Sequence, residues 1–268
     1  MKDRSSFAQM FTVAKYQFLN YVRSKRLFIL LGITIAISVV YLVVIWKYVN
    51  PEYMSSNEFL GNWASFSTFL IVLSALFFGG DAISSEYGKK TGYFLFPNPI
   101  KRWTILWGKF FASIVASLIV VLLYWGIAFI DTFAVKGYLT NDAYYSLALA
   151  LLYLLSLLAL TYMFSSFFKN SAISITITAI LYFFVFNIVS SIAMLTGIEP
   201  LFSITYAGDV IENVLKHPYP EHIQVLNAGG MKITMFNVQL MTGIEIMLVY
   251  FVISSIIATL VFTYRELR

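Results

Sequence analysis

The chain has 268 residues, of which 60% are hydrophobic and 12% charged. Soluble domains carry about 25% charged residues, so this composition suits a bilayer and excludes an ordinary soluble domain, which would be left with large exposed apolar patches. There is no cysteine, which excludes disulfides, Fe–S clusters and thiolate zinc sites, and the net charge of +5 does not point to nucleic acid, because most basic residues flank apolar segments.

Residues 1–26 precede the first apolar run. Within them Phe7, Phe11, Phe18 and Val22 fall near one helical face, with Ala14 between them and Lys15 elsewhere. That is the pattern of an amphipathic helix lying on a membrane surface. Arg23, Lys25 and Arg26 mark the turn into the bilayer. The apolar run beyond them is too long for the h-region of a signal peptide and is expected to stay as an anchor.

A spanning helix needs roughly 20 apolar residues, because a rise of about 1.5 Å per residue must cross about 30 Å of hydrocarbon. Six runs reach that length: 27–46, 59–78, 110–130, 144–163, 172–193 and 243–264. None carries a charge at its centre, where one would cost about 2.5–3.5 kcal/mol; Glu245 lies at one end. With the N-terminus inside, residues 1–26, 79–109, 164–171 and 265–268 share one face, which receives every Lys and Arg except Lys47, Lys136, Lys216 and Lys232. The positive-inside rule makes that face cytoplasmic. The expectation is an all-α membrane protein with a single transmembrane domain over 1–268, six spans, both termini in the cytoplasm, and a place in the plasma membrane.

Two intramembrane patterns stand out. Gly32 and Ala36 form a small-xxx-small pair on the first span, a motif that permits close helix contact. Thr176, Ile180, Phe183 and Asn187 fall on one stripe of the fifth span. Asn187 is the least comfortable of them in lipid, so it is expected to face other helices or a cavity. Thr176 and Asn187 are therefore candidates for a translocation path, with interhelical hydrogen bonding as the plainer alternative.

The stretch 79–109 is rich in chemistry. It holds Asp81, Ser85, Glu86, Lys89, Lys90, Lys101, Arg102 and Lys109, with Gly88, Gly92, Pro97 and Pro99 as turn formers. The prolines around Asn98 break any helix there. Residues 81–92 can form a short exposed helix ending near a glycine, able to dock on a cytoplasmic partner or to serve only as a solvated turn. In 195–241, residues 209–215 suggest a short helix stopped by Pro218 and Pro220, and 223–226 with 231–234 flank Asn227-Ala228-Gly229-Gly230 as a small hairpin.

The chemistry tests are mostly negative. A P-loop needs GxxxxGK[ST]; Gly88-Lys89-Lys90 and Gly108-Lys109-Phe110 both fail it, so ATP binding through that motif is not expected. His217 and His222 are the only histidines; a zinc site there would need Glu212 or Glu221 and lacks HExxH, so no metal is expected. No Ser-His-Asp or paired-carboxylate arrangement appears on a common face, and no catalytic residue is expected.

Read as a pattern, Gly79-Gly80-Asp81-Ala82-Ile83-Ser84-Ser85-Glu86-Tyr87-Gly88, Thr91-Gly92, Leu95-Phe96-Pro97-Asn98-Pro99-Ile100-Lys101-Arg102 and Gly108-Lys109 resembles the cytoplasmic signature of the ABC-2 type permeases. Ser165-Ser166 with Lys169-Asn170-Ser171 resembles the family's turn between the fourth and fifth spans, and Tyr264-Arg265-Glu266-Leu267-Arg268 its basic tail. The chain departs from the pattern where Lys89-Lys90 separate Gly88 from Thr91, which leaves the end of the coupling helix unfixed. The resemblance implies an N-terminal amphipathic elbow helix, six spans, and short re-entrant helices within the outer segment 195–241. It implies ATPase coupling through Asp81, Ser85, Glu86, Gly88, Lys89, Lys90 and Thr91, and a loop to the third span through Pro97, Pro99, Lys101, Arg102 and Lys109. It also implies two ATP-binding cassette ATPase subunits that carry ATP and Mg, a second permease subunit (a homodimer or a paralogue), and no cofactor in this chain. The spans favour an amphiphilic or apolar cargo over a free ion. The alternatives are an ABC-2-like module for immunity, signalling or extraction of lipids or peptides, and an intramembrane enzyme.

Overall fold

The structure, a computed structural model, describes residues 6–48, 53–88, 101–228 and 231–264. Helix α1 (Ser6–Arg23) leads to α2 (Arg26–Tyr48), α3 (Ser56–Gly79) and the short α4 (Ser84–Gly88). Then come α5 (Arg102–Lys136), α6 (Asn141–Phe167) and α7 (Ser171–Leu195). Two short helices, α8 (Ile204–Gly208) and α9 (Val210–Asn213), precede a hairpin of β1 (Ile223–Ala228) and β2 (Met231–Phe236), and α10 (Leu240–Tyr264) closes the chain. Six of these helices, α2, α3, α5, α6, α7 and α10, are long and apolar enough to cross a membrane. The protein is an all-α membrane protein.

The helices run past the apolar stretches that mark them. The third span begins at Arg102 and ends at Lys136, because a helix continues through polar residues until a cap stops it. Gly137 supplies that stop in a left-handed conformation (φ 76°), and its N–H bonds to the Phe133 carbonyl. Ser55 and Glu58 form a reciprocal capping box at the start of α3. The Asn170 side chain accepts from the Ala172 and Ile173 N–H groups at the start of α7. Lys25 turns the chain between α1 and α2 with φ 60°.

The core lies where α3, α5, α6 and α10 pack. Trp63 on α3 is fully buried, with Tyr41 of α2 at 4.6 Å and Tyr124 of α5 at 5.4 Å between ring centroids, and the Tyr124 hydroxyl donates to the Trp63 carbonyl at 2.8 Å. Lipid gives apolar helices no hydrophobic reason to associate, so close packing and interhelical hydrogen bonds hold them; the Ser156 hydroxyl, donating to the Met247 carbonyl at 2.7 Å, ties α6 to α10 in this way. Helix α3 is the most enclosed span and α7 the least, with 72% and 11% of their most apolar stretches buried. Gly32 meets nothing within 4 Å and Ala36 is exposed, so that small-residue pair makes no helix contact within the protomer.

At the end opposite α1, the short helices α8 and α9 bury Ile204, Tyr206, Val210 and Ile211. The Ser146 hydroxyl on α6 donates to the Ile211 carbonyl, and Gly208 lies against the Tyr153 ring. The hairpin pairs antiparallel from Ile223↔Phe236 to Ala228↔Met231, two residues longer per strand than the apolar pattern suggests.

Candidate functional site

The segment from Gly79 to Gly88 links the end of α3 to α4, and five other helices converge on it or beside it. Arg26, at the start of α2, donates from Nη1 and Nη2 to the two carboxylate oxygens of Asp81, 2.8 Å each. A fork of this kind fixes direction as well as charge. Lys109 on α5 is 5% exposed; its Nζ donates to the Ala82 carbonyl at 2.8 Å and pairs with Glu86. From α6, the Ser165 hydroxyl oxygen accepts from the N–H groups of both Ile83 and Ser84 at 3.0 Å. From α7, the Ser174 hydroxyl donates to the Gly80 carbonyl at 2.6 Å. Every one of these partners is a side chain reaching a backbone or carboxylate group that no regular helix would satisfy in this turn.

Helix α1 joins the same assembly one layer up. The Tyr21 hydroxyl donates to the Phe78 carbonyl at 2.7 Å, with the Ser113 hydroxyl 2.9 Å away and that of Tyr162 2.7 Å beyond it. This buried chain of hydroxyls connects α1, the end of α3, α5 and α6. Gly108 lets α1 approach α5: a Cβ there would lie 2.7 Å from the Met10 carbonyl oxygen and 2.8 Å from the Val13 Cβ. At Gly79 a Cβ would collide with Thr161 Oγ1. Gly79 thus admits the Thr161 side chain and Gly108 the α1 backbone, and the Gly108-Lys109 dipeptide splits its work: the glycine seats α1 and the lysine seats α4.

The sequence suggests an exposed helix here, whereas the described part is largely buried. Asp81 and Glu86 are each 8% exposed and Ser84 is fully covered; Ser85 is half-buried. Small residues let neighbouring helices close over the turn, and the two acids find basic partners within the protein. Lys101 is exposed ahead of α5, and Arg102 reaches the last turn of α10, with Nη1 3.2 Å from the Thr263 carbonyl. A cation at that point complements the negative end of the helix dipole. Gly88 ends α4; Lys89, Lys90, Thr91, Pro97 and Pro99 lie outside the described residues.

The two candidates on the fifth span part company. Thr176 is exposed on the surface of α7. Beyond it, residues Leu181–Phe186 form a π-helical stretch, which takes more residues per turn and swings the next turn out of the original stripe. Asn187 fills the gap this leaves in the ladder: its Nδ2 donates to the carbonyls of Tyr182 at 3.0 Å and Phe183 at 3.2 Å, and it borders a cavity. Sequence reasoning also missed Asp131. The apolar run stops at residue 130, but the helix continues, and Asp131 accepts from Trp63 Nε1 at 3.2 Å and Trp46 Nε1 at 3.4 Å, joining α2, α3 and α5. The one available signal was an acid between the run and Lys136, with two tryptophans at the matching ends of neighbouring spans. His217 and His222 take separate partners, Asp142 at 2.8 Å and Glu199 at 3.6 Å.

Six apolar helices, with a turn at one end gripped by side chains from four of them, define a multi-pass helical membrane protein. The chain belongs to the ABC-2 family: residues 11–267 match the family described as ABC-2 family transporter protein. It is thus a multi-pass permease subunit of that class of ABC transporter. No individual curated protein matches the chain significantly.

Proposed function

We propose that this subunit is driven by two separate ATP-binding cassette ATPases that dock at the α1 end, with ATP and Mg held by those partners and no catalysis in this chain. In this reading the α1 end faces the cytoplasm of a cell whose plasma membrane the protein spans, α1 is an elbow lying on the inner leaflet, and a second permease subunit completes the complex. The exposed apolar side chains of α1, Phe7 at 73% and Phe11 at 74%, suit insertion among lipid tails.

The observation that carries the proposal is the stitching of Gly79–Gly88 to α2, α5, α6 and α7. A push on α4 reaches four spans through rigid contacts, which is what rigid-body rocking requires. Because Asp81 and Glu86 are engaged internally, their role is to set the shape of the docking element, and the contact surface itself falls to residues around them. The apolar, charge-poor spans favour an amphiphilic or apolar cargo over a free ion.

The test is reconstitution with the partner ATPase. Glu86→Ala should leave ATP hydrolysis running while transport falls tenfold or more. Full transport by that variant would overturn the coupling role, and failure of any P-loop ATPase to co-purify with the wild-type chain would overturn the partnership.

A further inference from the structure

A cavity of about 330 Å³ lies between α3, α6, α7 and the short helices α8 and α9, within the size range of small-molecule sites. Its polar lining is Thr68, Tyr153, Tyr182, Asn187, Ser190, Ser191, Thr205, Tyr206 and Asp209, with Phe69, Phe183 and Met194 as the apolar wall. The protons of this lining are largely turned away from the cavity. The Thr68 hydroxyl donates to the Ser65 carbonyl at 3.0 Å, Ser190 to the Phe186 carbonyl at 2.6 Å, and Ser191 to the Asn187 carbonyl at 2.8 Å. The Asn187 amide spends its N–H groups on Tyr182 and Phe183, and the Tyr206 hydroxyl donates to Glu199 at 2.9 Å. What each still has to offer is a lone pair.

The hydroxyls of Tyr153 and Tyr182 bond to each other, which leaves that pair one proton, and the Thr205 hydroxyl bonds with Ser203, which lies outside the lining. Asp209 adds a carboxylate that makes no ion pair or hydrogen bond among the described residues. The residue is exposed where it borders the cavity, with its neighbours Gly208 and Val210 buried on either side. No Lys, Arg or His lines the space. The walls therefore present an excess of acceptors, one of them anionic, beside the aromatic pair Phe69 and Phe183, whose centroids are 5.9 Å apart.

We infer that this cavity is a binding site for an organic ammonium group, taken up by the Asp209 carboxylate and the hydroxyl and amide oxygens of α3 and α7, with Phe69 and Phe183 against its hydrocarbon part. An ammonium brings three donors and no acceptor, the complement of such a wall, and aromatic faces attract cations. As a cargo site the inference rests on the transport reading; as a binding site it stands without it.

The test uses the full chain in lipid nanodiscs, with no ATPase present. Titration calorimetry compares 2-phenylethylammonium with the neutral 2-phenylethanol and the anionic 3-phenylpropionate. The ammonium should bind at least tenfold more tightly than either, Asp209→Asn should remove that preference, and Thr68→Val should weaken ammonium binding about threefold. Equal binding of the three probes, a preference for the carboxylate, or a D209N variant with unchanged selectivity would overturn the site.

The wild-type protein gives a second readout should D209N fail to fold. The charged or titratable groups facing Asp209 are Glu212 and Lys216 on its own segment, Tyr153 on α6, Tyr182 on α7, and Tyr206 and Tyr219. Desolvation by the protein around it, with Glu212 adding to it and Lys216 opposing, raises the Asp209 carboxyl to about 7. Ammonium affinity should fall at least threefold between pH 8 and pH 6, where the ligand stays protonated; a flat profile would overturn the assignment. Ammonium binding without ATP-driven movement of any amine would sink the reading of this site as a cargo site and leave it standing as a binding site.

Discussion

The guanidinium of Arg26 holds both oxygens of the Asp81 carboxylate at 2.8 Å, and the two ends of this pair are unequally sheltered. The Arg26 side chain is 37% exposed and that of Asp81 11%. Losing the arginine strands an enclosed carboxylate, whereas losing the aspartate leaves a guanidinium that water can reach. Arg26→Ala should therefore destabilise more than Asp81→Ala, by about 2–3 against about 1 kcal/mol, below the roughly 3–5 kcal/mol of a fully buried pair. Arg26→Lys, which keeps charge but not the fork, should fall between wild type and R26A. Thermal unfolding in detergent ranks the three; the reverse order of the alanine variants would show that the pair is not sheltered as described.

The Lys109–Glu86 pair is more deeply buried, with side chains 6% and 11% exposed. Each single replacement, Lys109→Met or Glu86→Gln, leaves one charge or its polar neighbours unmatched, at a cost of about 3–5 kcal/mol. The double variant should lose less than the sum of the singles by more than about 1 kcal/mol, because residues in contact do not behave additively. A double-mutant cycle on unfolding free energy makes the comparison. Additive losses would mean that the two charges do not depend on each other.

These two pairs also measure how much of the protein is legible in its sequence. Spans, the basic end and the dense chemistry of 79–109 can be read from hydropathy and charge, because each depends on residues near one another in the chain. The pairing of Asp81 with Arg26 and of Glu86 with Lys109 cannot, since it joins residues 55 and 23 positions apart and depends on how helices pack. The same holds for Ser165 and Ser174: a serine inside an apolar run looks like mild interhelical glue until the unsatisfied N–H and carbonyl groups of a particular turn are placed beside it. Asn187 is conspicuous as a polar residue in lipid, but the π-helical stretch that turns it away from Thr176 leaves no mark in hydropathy.

Gly108 and Gly126 offer a matched comparison on one helix. A Cβ at Gly108 meets the Met10 carbonyl at 2.7 Å and Val13 at 2.8 Å, while one at Gly126 meets nothing within 4 Å. Gly108→Ala should push α1 off α5 and cost about 1–3 kcal/mol, as overpacking does. Gly126→Ala should be neutral or stabilising by up to about 1 kcal/mol, since alanine is the better helix former. Thermal midpoints, with limited proteolysis of α1 as the local readout, test this. Equal behaviour of the two variants would remove Gly108 as the contact point between α1 and α5.

Asp209 predicts a dependence of stability on pH whose sign is fixed. Protein packed around the cavity-facing carboxyl raises it from an ordinary 3.8 to about 7, although the residue as a whole is exposed. Between those values the folded chain keeps a proton that the unfolded chain has lost, so this group makes stability fall as pH rises through the interval and level off above about 7. Asp209→Asn carries no such charge. Its thermal midpoint relative to wild type should therefore climb between pH 5 and pH 7.5 and stay constant beyond. A difference between the two proteins that is the same at pH 5 and at pH 8.5 would mean that the surrounding protein does not desolvate the carboxylate, and would remove the poorly solvated anion on which the cavity's preference for cations depends.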